Sequence, residues 1–333
     1  MEADGLKLDG LRVLPGLINA HDHLEFALFP RLGRGVYPNA AQWARDIYHP
    51  EEPPVARHLG VPKELRLVWG GIRNLLAGVT TVCHHNLYSP VLANGFPVRV
   101  VERYGWAHSL EFAGDVRAAF EATPPGAPFL IHAGEGTDAG AAAEVFRLNE
   151  LGVLCERTVL IHAVGLCGDG WKLVEQAGAA VIWCPRSNLF TLGRTLKARS
   201  VRVALALGTD SPLTAEGDLL DEIAAAREIG FAPEMVTTAA ESILRLPPRP
   251  EDWMAAAEFG EPPQLVVIGG RIHLIGVDLA EQLPEALRRK FQRIEIEGRP
   301  PVLIRWDVGQ LLEETRRHLG RGEVRLAGRE VAG

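Results

Sequence analysis

The sequence predicts an α/β fold: a (β/α)8, TIM-like barrel carrying a small, partly truncated β-rich appendage. Three observations point to it. Short apolar, β-branched runs alternate with helical patterns through the first three-quarters of the 333 residues, and such alternation builds a parallel sheet covered by helices. Several of the runs end in histidine or aspartate, and residues at the C-terminal ends of barrel strands converge on one mouth. Beyond residue 262 the character changes to short strands separated by glycines.

Strands are predicted over 11–18, 79–83, 106–112, 129–131, 159–161, 180–183 and 203–207, with a weaker one over 97–101. Residues 62–76 read as a helix because Leu65, Val68, Trp69, Ile72 and Leu76 recur at three- and four-residue steps. Residues 139–151 and 170–178 follow the same logic, the second closed by Gly178. After Asp210 two more helices are predicted, over 216–229 and 233–246, and Pro247, Pro248 and Pro250 end the pattern. Residues 264–268 and 271–275 read as a hairpin across Gly269-Gly270. A strand over 302–305 and a helix over 307–319, stopped by Gly320, follow. The expected organisation is a barrel over 11–250 with an appendage from 1–10 and 262–333. Residues 24–60 show few signs of regular structure. A stretch of that length is uncommon unless functional, so it reads as a lid over the mouth.

Composition narrows the classes. Lys+Arg is 35 against Asp+Glu 42, a net charge of −7, which argues against a polyanion partner such as nucleic acid. The basic pairs Arg288-Arg289 and Arg316-Arg317 read as solvated helix faces. No apolar run approaches the ~18 residues of a membrane span. Cys83, Cys155, Cys167 and Cys184 form no C-x-x-C pair, so neither a zinc knuckle nor a disulfide framework is expected. The start Met1-Glu2-Ala3-Asp4 lacks the cationic head and apolar stretch of a signal peptide. A cytoplasmic protein with a small-molecule partner is the expectation, with homo-oligomer formation left open.

The chemistry concentrates at strand ends. In His21-Asp22-His23 the two imidazoles share one face of an extended chain while Asp22 points away. H-x-H alone reads as two polar residues at a strand end. His132 after 129–131 and Asp210 after 203–207 turn it into a metal-ligand set of His21, His23, His132 and Asp210. Such donors suit one divalent ion, Zn first with Fe or Mn as alternatives, and leave a coordination position for water. Glu135, three residues beyond His132, is placed to shuttle a proton to a substrate nitrogen; alone it would read as a helix-entry acid. His162, at the end of 159–161, reads singly as a core histidine, and among these neighbours as base or electrostatic stabiliser of the activated water. Substrate contacts are expected from Glu25 in the lid segment, from one of His84 and His85, and from Arg186 and Asn188. Adjacent residues on an extended segment face opposite ways, so only one of the two histidines should face the mouth. Asn188 could equally cap a turn.

Residues 14–23, 78–81, 131–135, 160–162, 184–188 and 208–211, in that order, resemble the amidohydrolase superfamily. The likeness is closest to its triazine hydrolases, guanine deaminases and S-adenosylhomocysteine-type deaminases, and spans roughly 11–246. It implies a mononuclear metal held by His21, His23, His132 and Asp210. Glu135 would give and take protons at the leaving group or ring nitrogen, and His162 would orient or deprotonate the water with help from Asp210. The implied activity is hydrolysis of a non-peptide C–N bond by metal-activated water, with an aminohydrolase (deaminase) of a nitrogen heterocycle as the first reading. The alternatives are a chlorohydrolase or N-dealkylating hydrolase of the same family, or a catalytically inactive barrel used for binding. Binuclear barrel hydrolases commonly bridge their metals through a carbamylated lysine, and Lys7, Lys63, Lys172, Lys197 and Lys290 all lie outside the strand candidates, which favours one metal. Two departures stand out. Only about ten residues precede the first predicted strand, where family members carry a longer segment that pairs into a β-sandwich. The link from Val101 to Phe129 also leaves little room for two full barrel units.

Overall fold

Gly16 divides the first predicted strand in two. A Cβ at this position would lie 2.3 Å from the Thr80 side chain, so only glycine lets the backbone pass there. In the computed structural model, which describes residues 2–93, 95–320 and 324–333, β1 (Arg12–Pro15) leaves for an antiparallel sheet while β2 (Leu17–Asp22) enters a parallel one. The single strand expected over 11–18 is thus corrected to two. The apolar alternation runs through Gly16 unbroken, and only the close approach of Thr80 reveals the turn.

The parallel frame continues with β3 (Val79–His84), β4 (Arg99–Val100), β5 (Gly105–Ser109), β6 (Phe129–Ala133), β7 (Thr158–His162), β8 (Ala180–Trp183) and β9 (Leu205–Leu207). Two sheets carry these strands, one in the order β2-β3-β4 and one in the order β5-β6-β7-β8-β9. Backbone bonds stitch β9 to β2: the carbonyl of His21 accepts from the N–H groups of Thr209 (2.9 Å) and Asp210 (3.2 Å). On the other side, no ladder joins β4 to β5 among the described residues.

Chain length explains that seam. Parallel neighbours need a crossover of a dozen or more residues, yet only 101–104 separate β4 from β5. Residues 99–109 therefore make one bent pass, its first part paired with β3 and its last with β6. Among the described residues the frame has seven passes, and the eight expected from sequence are corrected to that number. The strand candidates at 97–101 and 106–112 both form, but as parts of one pass. The helices Lys63–Leu76, Val116–Glu121, Ala139–Glu150, Gly168–Ala177, Pro185–Leu192, Leu219–Glu228 and Pro233–Ile243 alternate with the strands.

The antiparallel sheet contains β10 (Trp253–Ala256), β11 (Leu265–Ile268), β12 (Arg271–Gly276), β13 (Gln292–Ile296), β14 (Val302–Ile304), β15 (Arg325–Leu326) and β16 (Arg329–Ala332). With β1 at one edge its order is β1-β10-β11-β12-β14-β13-β16-β15. Gly269 and Gly270 take positive φ (59° and 74°) in the β11–β12 turn, as a two-residue hairpin requires. Buried Trp69 on the helix Lys63–Leu76 donates to Thr315 Oγ1 (2.8 Å) on the helix Val308–Leu319, which ties the sheet's covering helix to the parallel frame. Among the described residues no helix is long and apolar enough to cross a membrane.

Candidate metal centre

His21 lies in β2 and His23 directly beyond it, with Asp22 turned the other way. The Asp22 carboxylate meets Arg73 (2.6 Å) and accepts from Asn74 (2.7 Å) and Asn19 (3.1 Å), so it anchors β2 to the helix behind it. His132 sits in β6, His162 closes β7, and Asp210 follows β9. His162 (φ 74°) and Asp210 (φ 55°) both adopt left-handed backbone. Non-glycine residues there store strain of roughly 1 kcal/mol or more each, and such strain gathers at functional sites.

Ring nitrogens and carboxylate oxygens converge. His21, His132, His162 and Asp210 each bring one such atom within 4.8 Å of the others, and so do His21, His23, His85 and His132. Asp210 Oδ1 stands 3.6 Å from Nε2 of both His21 and His23, and Nε2 of His21 and His132 are 3.2 Å apart. The other Asp210 oxygen is occupied by the hydroxyls of Ser187 (2.6 Å) and Thr214 (3.0 Å). His132 Nδ1 is 2.7 Å from the carbonyl of His108. A carbonyl only accepts, so the ring proton sits on Nδ1 and the Nε2 lone pair faces the cluster.

Burial sets the charge states. It drives His23 and His162 down to about 4 and His21 below its ordinary value, with Asp210 opposing the fall at each. His132 falls well below the usual imidazole range through burial and the neighbouring His85 and His108. For Asp210 burial pulls upward, but the hydrogen bond to His21 and the fields of His162 and His23 win, holding it well below the carboxylate range. Neutral imidazoles around an ionised carboxylate are what a zinc-type cation requires. Buried His21 Nδ1 and His162 Nε2, moreover, have no hydrogen-bond partner. The donor set fits a divalent metal.

Glu135 Oε1 lies 3.5 Å from His162 Nε2. Burial, then the charges of Asp210 and Glu144, raise its pKa well above the ordinary value. His162 Nδ1 is 2.7 Å from Asn188 Oδ1, while the Asn188 amide donates to Thr195 (3.2 Å). That orientation leaves His162 with its proton on Nδ1 and its lone pair on Nε2. The lid segment supports the Glu135 loop: Ala40 N–H donates to the Glu135 carbonyl (2.9 Å) and Thr137 N–H to Pro38 (2.7 Å). Contrary to the irregular reading, this segment holds the helices Ala40–Ile47 and Val55–Leu59. The first was legible, since Ala40, Trp43, Ala44 and Ile47 recur at three- and four-residue steps. A cavity of about 780 Å³ opens beside the cluster, lined by Asn39, His108, Phe112, His132, Glu135 and Glu144.

Two of the expected substrate residues stand at the cluster: His85 within it and Asn188 behind His162. Glu25 and His84 form a separate buried group, 3.6 Å apart, with Lys63 3.8 Å from Glu25. Arg186 donates to the Glu216 carbonyl (2.5 Å) and lies 3.8 Å from Asp221. Sequence reasoning passed over His108 because it placed that residue inside a strand over 106–112. The strand ends at Ser109, so the strand-end rule would have found it. Ser187 lies within the family-like segment 184–188 but sequence reasoning gives its hydroxyl no role there, and nothing in the sequence marks Thr214.

No family model matches the chain. Over 99 residues it is 37% identical to the aminodeoxyfutalosine deaminase of Deinococcus radiodurans, a stretch that covers 28% of this chain and only 24% of that protein. It is 26% identical to the 5-methylthioadenosine/S-adenosylhomocysteine deaminase of Halobacterium salinarum, covering 81% of this chain and 73% of that protein. Among solved structures, the adenosine deaminase of Xanthomonas campestris with bound zinc has a TM-score of 0.64 at 16% identity, over 93% of this chain and 85% of that one. A variant of atrazine chlorohydrolase from Arthrobacter aurescens, complexed with zinc and atraton, has a TM-score of 0.65 at 16% identity, over 93% and 88%. The guanine deaminase of E. coli has a TM-score of 0.57 at 14% identity, over 79% and 84%. The structural neighbours are thus hydrolases of the amidohydrolase superfamily, and the mixed α/β fold with its parallel sheets is similar to theirs.

Proposed function

We propose that the protein is a metal-dependent aminohydrolase, replacing the amino group of a nitrogen heterocycle by oxygen and releasing ammonia. One observation carries this reading: neutral imidazoles and an ionised aspartate share a buried centre with an acid, Glu135, that holds its proton far above the usual carboxylate range. His21, His23, His132 and Asp210 would hold one divalent ion, zinc before iron or manganese. Such an ion, when bound, lowers the pKa of water towards neutrality and so supplies a nucleophile.

The other steps belong to the chain itself. Glu135 donates its proton to a ring nitrogen as water adds to the adjacent carbon. The resulting carboxylate takes the proton of the hydroxyl that the water has left on that carbon and passes it to the amino group, which departs as ammonia while the carbonyl forms, an exchange worth roughly 10²–10⁴ in rate. His162, its Nε2 lone pair aimed by Asn188, accepts from the water and orients it. Ser187 and Thr214 fix Asp210 so that Oδ1 stays turned to the imidazoles. The heterocycle would occupy the cavity beside His108, Phe112 and Asn39. Glu25, His84 and Arg186, engaged elsewhere, have no part in this reading. Relatives that act on guanine and adenosine derivatives support a heterocyclic substrate. The same proposal assigns the chemistry to the unit expected over 11–250, less β1, which pairs with β10 and so goes with the appendage of 1–10 and 262–333. It places the protein in the cytoplasm, where its four free thiols stay reduced.

Protein expressed with added zinc or iron tests the proposal when assayed for metal and for ammonia and chloride release across purines, pterins, pyrimidines and triazines. About one equivalent of metal and ammonia from one ring class are expected. A protein that retains no transition metal, or that releases only chloride or an alkylamine, overturns the assignment.

A further inference from the structure

We propose that His85 is itself a ligand of the metal centre, so that His21, His23, His85 and His132 form an all-imidazole donor set beside the set completed by Asp210. This rests on the reading that the centre holds a metal.

The backbone carries His85 into the cluster from the end of β3, where its N–H donates to the Asp22 carbonyl (2.9 Å). Its ring centroid lies 4.6 Å from that of His132, 5.0 Å from His21 and 5.7 Å from His23. One ring nitrogen of each of these four residues falls within 4.8 Å of the others. Nε2 of His85 is 3.2 Å from the carbonyl of Ala107. Since a carbonyl accepts only, the proton sits on Nε2 and the lone pair on Nδ1. That Nδ1 is buried and has no partner, in a residue only 1% exposed. Buried polar atoms in folded proteins are nearly always satisfied, and a cation is the partner this atom lacks. Burial, reinforced by His21, His23 and His108, keeps the ring neutral, the state in which imidazole ligates.

Four imidazoles match the donor number and type of a zinc-type site. Imidazole donors also favour Zn, Co and Ni over Mn, so His85 should tune which ion the centre keeps.

Full-length protein stripped by chelator and titrated with Co(II), then with Mn(II), tests this without any substrate. Against the parent, His85→Ala should weaken Co(II) binding by about tenfold or more and alter the visible Co(II) absorption, while Mn(II) affinity moves by less than about threefold. His85→Gln keeps a side-chain N–H for Ala107 and provides the same comparison if the alanine variant does not fold. Parent-like Co(II) affinity and spectrum in both variants would overturn the inference, as would an equal loss of Co(II) and Mn(II), which marks a packing role. A parent chain that binds neither ion brings down the metal-dependent reading itself, a separate result.

Discussion

Replacing Glu135 by glutamine separates proton transfer from everything else at the centre. The amide has the size of the protonated carboxyl and still presents an N–H, so the contact with His162, 3.5 Å away, is kept. It cannot release that proton. Turnover should therefore fall by the whole contribution of a general acid, about 10²–10⁴-fold, or roughly 3–5 kcal/mol of barrier. Glu135 lies outside both donor sets, so metal content should match the parent. Glu135→Asp gives the complementary result. The proton remains, but the shorter side chain withdraws the carboxyl by about 1.5 Å, and misplacement of that order costs on the order of 10². Ammonia release at saturating substrate, with metal content measured on the same samples, checks both variants. A glutamine variant that keeps more than a tenth of parental turnover refutes the role. A variant that loses its metal shows instead that Glu135 is a ligand.

Asp210→Asn removes the anionic donor that stands 3.6 Å from two imidazoles, and metal retention during dialysis against chelator should drop about tenfold or more; unchanged retention would put Asp210 outside the coordination sphere. Asn188→Leu strands the His162 Nδ1–H that now has an acceptor at 2.7 Å. It should cost about 1–3 kcal/mol of unfolding free energy along with turnover, while metal content holds, and a urea melt matching the parent would contradict this. Glu222 is buried, which pushes its pKa to about 8 against the pull of the Arg186 backbone N–H. An acid raised in the folded state binds more protons there than in the unfolded chain, so its penalty grows as pH climbs from the ordinary 4.5 towards 8. At about 1.4 kcal/mol per pH unit, Glu222→Gln should gain at most about 5 kcal/mol at pH 8.5 and almost nothing at pH 5, and equal gains at both pH values would show that the carboxyl is not titrating.

Strand ends were the legible part. The residues that meet at the centre are chemically conspicuous and follow apolar runs, so His21, His132, His162 and Asp210 could be assembled on paper although nearly two hundred positions separate the first from the last. What stayed hidden depends on packing between segments. Local periodicity is the same on both sides of Gly16, and only Thr80, far along the chain, forbids a side chain there. The runs at 97–101 and 106–112 each look like a strand, and nothing within either one says that both belong to a single pass. Alternation along an extended segment says that one of His84 and His85 faces the mouth, but not which. The place of His85 among three other imidazoles depends on the register of β3 against β2, where the Asp22 carbonyl holds its backbone.

A frame one pass short can still hold this centre because of where the shortfall lies. The side chains of the two donor sets come from β2, β6 and β7 and from the turns after β3 and β9. The bent pass 99–109 adds His108 to the cavity wall but gives no side chain to either set. To the sets themselves it contributes two backbone carbonyls: Ala107 faces His85 Nε2 at 3.2 Å and His108 faces His132 Nδ1 at 2.7 Å. Each carbonyl selects a tautomer and thereby directs a lone pair inward. A carbonyl comes from any residue type, so at Ala107 and His108 the pass sets these tautomers through its position. Moving β5 by one residue along β6 would turn those carbonyls away and leave two imidazoles free to choose the wrong tautomer.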